Sequence, residues 1–344
     1  MGKLRTRFAV VALVALVAAG AAGCGGSAKP ATSVKQLRAA IAANFPSVDG
    51  STTAFPLLRL AACDLMNVSC VWSAQASDLV ERTFIPAAGV STDKAAAILK
   101  VKTNTTHNAY VNLIHGQADV IIEARMPSQD ELDEARANNV QYDTRVMALD
   151  GFVFLANVEN PVDSMKLQTI RDIYSGKVTT WAQAGVTMSD PLAPIHAYQR
   201  EKNSGSQELM LSMVMKETPM IDAPNMIVKS MVGPYNAIGG SPISGGGDVL
   251  GFGYSIFYYA TTMFDNQKVK MIAIEGVQPT SATIASRAYP LAAEVYVITR
   301  KGTPSTSTAA MLRDWLLSAD GQAVVKASGY VPVKKPADRA IPIG

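Results

Sequence analysis

Hydrophobic positions along this chain recur in two alternating rhythms. Leu57, Leu60 and Ala61 follow Pro56 at helical spacing, and Tyr110, Leu113 and Ile114 do the same after Thr105 and Thr106. Leu209, Met210, Met213 and Val214 predict a helix from Ser206 onward, and residues 33–44, 129–137, 308–318 and 321–327 carry the same period. Between these stretches, residues 119–122, 151–157, 269–274 and 294–299 have the short apolar runs of strands. Such alternation predicts an α/β fold of mixed sheets flanked by helices.

The first residues obey a different pattern. Lys3, Arg5 and Arg7 precede an apolar run over 8–19, and Ala21, Ala22 and Gly23 stand directly before Cys24. This is the layout of a lipoprotein signal peptide, so residues 1–23 are expected to be removed and Cys24 to be lipidated. A membrane-spanning anchor is the alternative, but the run is shorter than the roughly 20 residues a span needs. Residues 24–45 would then be lipid anchor, a Gly-Ser-Pro linker and a short helix appended to the core.

Residues 1–23 hold three basic and no acidic side chains, so without them the formal charge falls from +3 to zero. A binder of phosphate backbones carries a clear basic excess, which argues against nucleic acid as a partner. The remaining length suits two lobes better than one small core. With Cys24 lipidated, Cys63 and Cys70 remain in an oxidising compartment. A disulfide is the expected state, two buried thiols the alternative, and geometry decides between them. Neither cysteine has a histidine at ligand spacing, and no metal or other cofactor is expected.

The segment from Arg200 to Gln207 carries the clearest chemistry. Ser204 followed by Gln207 has the spacing of a capping box at the start of the predicted helix. A helix N-terminus offers unpaired N–H groups and partial positive charge to an anion. Arg200 adds a planar donor fork, Ser204 and Ser206 add hydroxyls, and Gly205 lets the backbone come close. An ordinary capped helix with a surface arginine fits the same local residues.

The wider chain favours the anion reading by resemblance. Asp49-Gly50-Ser51-Thr52-Thr53-Ala54-Phe55-Pro56-Leu57 resembles the first ligand loop of the phosphate-binding proteins that serve bacterial phosphate ABC importers, the PstS type. Further similar stretches follow in that family's order: Thr105 to Tyr110 before Gly116-Gln117-Ala118-Asp119, Asp150 to Phe154 with Asn160-Pro161-Val162, and Ile170 to Lys177 with Trp181. Then come the Arg200 to Gln207 segment, Tyr289-Pro290-Leu291, Gly321-Gln322 and Gly329-Tyr330-Val331-Pro332. The resemblance implies a two-lobe, type II periplasmic-binding-protein fold with the ligand cleft between the lobes. By that analogy residues 46–150 plus 251–344 form lobe 1 and 151–250 form lobe 2. The crossings then fall near 150–157 and 251–258.

The expected ligand contacts are Thr52, Thr53 and the Ala54 amide, Thr106, and the Arg200, Ser204, Gly205 and Ser206 group. Thr106 ranks above its neighbour His107, which is expected to be a capping or surface residue. The family usually has threonine where Ser206 stands. It also places an aspartate at the turn here occupied by Glu123-Ala124-Arg125-Met126-Pro127, where it accepts the proton of hydrogen phosphate and so excludes sulfate. Glu123 can keep that acceptor role, whereas Arg125 in the cleft would favour a more anionic or larger ligand.

The resemblance implies a monomeric, lipid-anchored receptor outside the cytoplasmic membrane. It would capture inorganic phosphate or a related oxyanion and present it to the membrane subunits of an ABC permease. An anion sensor or adhesion lipoprotein of the same fold is the alternative. A secreted hydrolase is disfavoured, because neither G-x-S-x-G nor H-E-x-x-H is present. Met210, Met213 and Met215, Phe257 to Tyr259, and the glycine-rich loop 241–248 are expected to serve packing or solvent exposure rather than ligands.

Overall fold

A computed structural model describes residues 34–73, 82–101, 103–241, 245–264, 266–341 and 343. The signal segment, Cys24 and the linker lie outside the described residues, as do Pro242, Ile243 and Ser244 of the glycine-rich loop. Residues on either side of that gap, Gly240–Ser241 and Gly245–Gly246, pair as antiparallel strands.

One long strand, Tyr142–Asn157, organises the molecule. From Met147 onward it is buried without interruption, as expected of a strand covered on both faces. Its first half pairs antiparallel with Ala292–Arg300, from Arg300 opposite Tyr142 to Ala292 opposite Gly151. Its second half pairs antiparallel with Gly251–Ile256, from Ile256 opposite Phe152 to Phe252 opposite Ala156. Val120–Glu123 lies antiparallel on the far side of Ala292–Arg300, and Val48–Gly50 parallel beside Val120–Glu123. At the other edge His196–Ala197 pairs parallel with Gly251-Phe252. Parallel and antiparallel pairs thus mix within one sheet path, and the long strand carries it from one half of the molecule to the other.

The changeover sits at Asp150-Gly151. The Asp150 carboxylate is wholly buried, and one of its oxygens accepts the N–H of Gly151 at 2.8 Å and of Tyr258 at 2.9 Å. It therefore ties the outgoing strand to the returning chain. A Cβ on Gly151 would lie 2.9 Å from Ile284 Cδ1 and 3.3 Å from Phe257 Cβ, so the chain packs closely here. Tyr258 stacks on Tyr330 with centroids 3.9 Å apart, which is the packing role expected near the crossing. Beyond Tyr258, Val269–Met271 still pairs with the second half of the long strand, and Ala273–Ile274 pairs with Ser164–Met165. Residues 269–274 therefore hydrogen-bond to strands of the 151–250 segment before the chain reaches Ala292–Arg300.

Phe152, Phe154, Tyr174, Trp181, Phe252 and Tyr254 form a contiguous aromatic core in the second half. Such edge and offset ring pairs add about 0.5–1.5 kcal/mol each beyond burial alone. In the first half, Cys63 and Cys70 are disulfide-bonded, joining the helix Ala54–Leu65 to the strand Cys70–Trp72. The helix Val34–Ala43 packs on the core. Ile41 is fully buried, and Arg38 donates to Asp64, whose carboxylate also takes a two-point bond from Arg339 near the C-terminus. Met210 and Met215 are fully buried, as core residues should be.

Candidate functional site

Three chain segments converge on one cavity of about 210 Å³. The first is the turn Ser51-Thr52-Thr53 between the strand Val48–Gly50 and the helix Ala54–Leu65. A Cβ on Gly50 would lie 2.5 Å from the Ile122 carbonyl oxygen, so the strand can pack this closely only with glycine. The second segment is Thr105-Thr106, which starts the helix Thr106–Ile114. Neither Thr53 nor Thr105 caps its helix with its side chain, and Thr53 Oγ1 instead lies 3.2 Å from Ser51 Oγ.

Buried Asp49 holds these two segments in register. Its carboxylate accepts from the Gly50 and Asn104 amides, both at 2.7 Å, and from the side chains of Asn104 at 2.8 Å and Asn112 at 2.7 Å. Through Asn104 it fixes the loop that delivers Thr105 and Thr106.

The third segment is the one from Arg200 to Ser206. Strand Gln199–Arg200 pairs parallel with Ile227–Val228, and Arg200 Nε donates to the Val228 carbonyl at 3.2 Å. The Arg200 amide donates to Gln207 Oε1 at 3.1 Å and to Tyr254 Oη at 2.9 Å. Only half of the expected capping box is present. Ser204 Oγ accepts from the Gln207 amide at 3.2 Å, but the Gln207 carboxamide faces Tyr254 and Arg200 instead of returning to Ser204. That inward turn lets Gln207 brace Arg200. The predicted helix begins as α-helix over Gly205–Leu209 and widens into π-helix over Met210–Met215.

Thr106 and Gly205 meet across the cavity, and a Cβ on Gly205 would come to 3.0 Å from Thr106 Oγ1. The cavity therefore lies between chain that precedes the Asp150 changeover and chain that follows it. Its wall is rich in donors, with hydroxyls from all three segments and from Ser230, together with Arg200 and Lys202. Among the described residues lining it, Glu201 alone is acidic, and it is solvent-exposed. Pockets for drug-sized ligands occupy about 300–1,000 Å³, so this one suits a small, oxygen-rich anion better.

Of the residues singled out from sequence, Thr52, Thr53, Thr106, Arg200, Ser204, Gly205 and Ser206 line the cavity. Ala54 does not, and its amide already donates to the Ser51 carbonyl at 2.9 Å. His107 lines it, with Nδ1 3.1 Å from Glu131 Oε1. Arg125 lies outside it. The Arg125 guanidinium is held by Glu131 through two 2.8 Å bonds and sits 5.4 Å from the Tyr110 ring centroid. It lines a separate surface groove with Met126 and Glu294.

Glu123 is fully buried and precedes Ala124, which does line the cavity. Burial is the largest influence on it and holds its pKa well above the ordinary carboxylate range. Arg125 and the nearby Thr106 hydroxyl oppose that shift, while Glu131 and Asp49 add to it. Burial thus favours the protonated acid, the form that can donate a hydrogen bond as well as accept one.

Sequence reasoning missed Ser230 and Met231, which complete the wall next to Arg200. They arrive through the pairing of Ile227–Val228 with Gln199–Arg200, a contact no local motif announces. Ser51 and Thr105 also line the cavity, and their positions inside the two hydroxyl-rich turns were the available signal.

The family model described as the PBP superfamily domain matches residues 73–320. The phosphate-binding protein PstS of Staphylococcus saprophyticus is 26% identical over 205 residues, covering 58% of this chain and 60% of that protein. The PstS of Staphylococcus aureus strain RF122 is 24% identical over 229 residues, covering 66% of this chain and 67% of that protein. The chain thus spans 60% of the length of the first of these relatives. Among solved structures, a putative phosphate ABC transporter substrate-binding protein with bound phosphate from Clostridium perfringens superposes with a TM-score of 0.59 at 19% identity, covering 84% of this chain and 99% of that one. An ABC-type phosphate transport receptor from Vibrio cholerae gives 0.53 at 18% identity, covering 83% and 99%.

Proposed function

The chain belongs to the PBP superfamily, and from that premise we propose that it is a solute receptor that captures inorganic phosphate, or a related tetrahedral oxyanion, for an ABC importer. One observation carries the reading: Arg200 and the Ser204–Ser206 helix start face Ser51 to Thr53 and Thr105-Thr106 across a small cavity between the two halves of the chain. Hydroxyls, a guanidinium and a helix N-terminus together offer many donors to an anion and little to a neutral solute. The names of the staphylococcal and clostridial proteins support phosphate as the ion.

Capture in this reading is non-covalent. The two lobes hinge about the Asp150 region, close on the ion and complete its hydrogen-bond shell with donors from both sides. The closed receptor delivers its cargo to the membrane subunits of the importer as a monomer held outside the cytoplasmic membrane by lipid on Cys24.

Isothermal titration of the chain lacking its first 24 residues, with phosphate and with sulfate, tests the proposal. Arg200→Ala should weaken phosphate binding by about 10- to 100-fold, since a hydrogen bond to a charged group contributes about 1.5–3 kcal/mol. Absence of phosphate binding by the unsubstituted chain would overturn it.

A further inference from the structure

Two donors assigned above to the anion converge on a single sulfur. Arg200 Nη1 lies 3.2 Å and Ser206 Oγ 3.4 Å from Met231 Sδ, and Met231 lines the same cavity. A thioether is a weak acceptor, poorly matched to a guanidinium and a hydroxyl that can each make far stronger bonds to an oxyanion. It is also attached through an unbranched, adaptable side chain and is only half-buried here.

We propose that Met231 is a displaceable plug standing where an oxyanion oxygen docks, and that its oxidation to the sulfoxide shuts the site against anions. The proposal rests on the anion-receptor reading. In the reduced state the sulfur keeps both donors oriented and yields to the ion, because exchanging a thioether for an anionic oxygen strengthens both bonds. Oxidation reverses that preference. A peroxide transfers one oxygen to the sulfur lone pair, so that the O–O bond breaks, an S–O bond forms, the sulfur loses two electrons and the peroxide leaves as water or alcohol. The new sulfoxide oxygen is a strong acceptor tethered beside Arg200 and Ser206, and a tethered group competes at high effective concentration with a free one. Met210 and Met215, by contrast, are fully buried and are not among the residues lining the cavity.

The test is phosphate titration of the chain lacking its first 24 residues before and after hydrogen peroxide treatment, with the oxidised methionines mapped by peptide mass spectrometry. Once Met231 maps as sulfoxide, affinity should fall at least about tenfold, the loss of one charge-assisted bond, and methionine sulfoxide reductases should restore it. Met231→Leu, which keeps the volume and removes the sulfur, should show the same phosphate affinity before and after peroxide, whatever that affinity is. Met231→Gln, which installs an amide oxygen without any oxidant, should bind more weakly. Unchanged affinity with Met231 fully oxidised would overturn the proposal alone, as would equal peroxide sensitivity of Met231→Leu. If the untreated chain bound no phosphate, this proposal and the receptor reading would both fall.

Discussion

Replacing Asp150 by Asn should change how stability depends on pH, and its size can be worked from the site. The Asp150 carboxyl is fully buried, one oxygen accepting the Gly151 and Tyr258 amides and the other without a partner. Burial raises its pKa from 3.8 to about 7, although the two amide bonds pull the other way. Below about pH 4 the group is protonated in both folded and unfolded chains, and its full contribution to stability is present. As pH rises, the unfolded chain ionises first and is favoured, so stability drains away until the folded group ionises near pH 7 and then levels off. A shift of about three units at about 1.36 kcal/mol each puts the total loss near 4 kcal/mol.

Asparagine stays neutral and its carbonyl oxygen can accept the same two amides, so that slope should vanish. Its new NH₂ group, if unpartnered, costs about 1–3 kcal/mol, but equally at every pH. The diagnostic is therefore the difference between the two chains' curves, read from urea unfolding at steps between pH 4 and pH 9. Asp150→Asn should gain on the parent by about 4 kcal/mol across that range. Parallel curves would show that Asp150 is ionised in the folded chain or that the unfolded reference is wrong.

Other expectations separate binding from support. Arg125→Ala breaks the buried pair with Glu131 and should cost about 3–5 kcal/mol in urea unfolding, yet leave the phosphate affinity of the folded chain within about threefold. A loss of affinity without loss of stability would place Arg125 at the ligand. Burial favours the protonated form of Glu123, which glutamine matches in charge, so Glu123→Gln should bind phosphate much as the parent does. Phosphate titration of the two chains side by side checks this, and a clear loss of affinity in Glu123→Gln would show that the ionised carboxylate serves the site. Gly205→Ala puts a methyl 3.0 Å from Thr106 Oγ1 and should lower affinity about tenfold with little effect on the unfolding midpoint.

What was legible in the sequence depended on how local the cause is. The helix Gln129–Ala137 has its Ser128 cap, its Glu131 reply and its apolar spacing within one stretch, and its limits could be read directly. The long strand could not be read in full, because its polar start, Tyr142 to Arg145, is ordered by pairing with distant Ala292–Arg300. The apolar run 269–274 is split for a similar reason, since Val269–Met271 and Ala273–Ile274 answer to different partners. At the cavity, the hydroxyl turns and the Arg200 segment were visible because helix starts follow local rules. Met231 and Ser230 were not, being brought in by a parallel strand pair, and Asp49 showed as part of a motif without its bracing role.

Residue type alone misjudged the turn Glu123 to Arg125, and the reason bears on selectivity. By type, Glu123 is an acceptor and Arg125 a cation for the cleft. In place, Arg125 is paired with Glu131 and faces another groove, while Glu123 is fully buried, where desolvation disfavours its ionised form. A receptor that tells hydrogen phosphate from sulfate through a lone-pair clash needs an ionised acceptor aimed at the ion. Exposed Glu201 is the acidic group available among the described lining residues, and at the rim it is screened by water. Discrimination between the two ions should then be shallow unless closure brings Glu201 inward, and Glu201→Gln decides which. If the substitution leaves the phosphate-to-sulfate affinity ratio unchanged, the site selects by charge and size; if the ratio collapses, the acceptor is supplied by the closing rim.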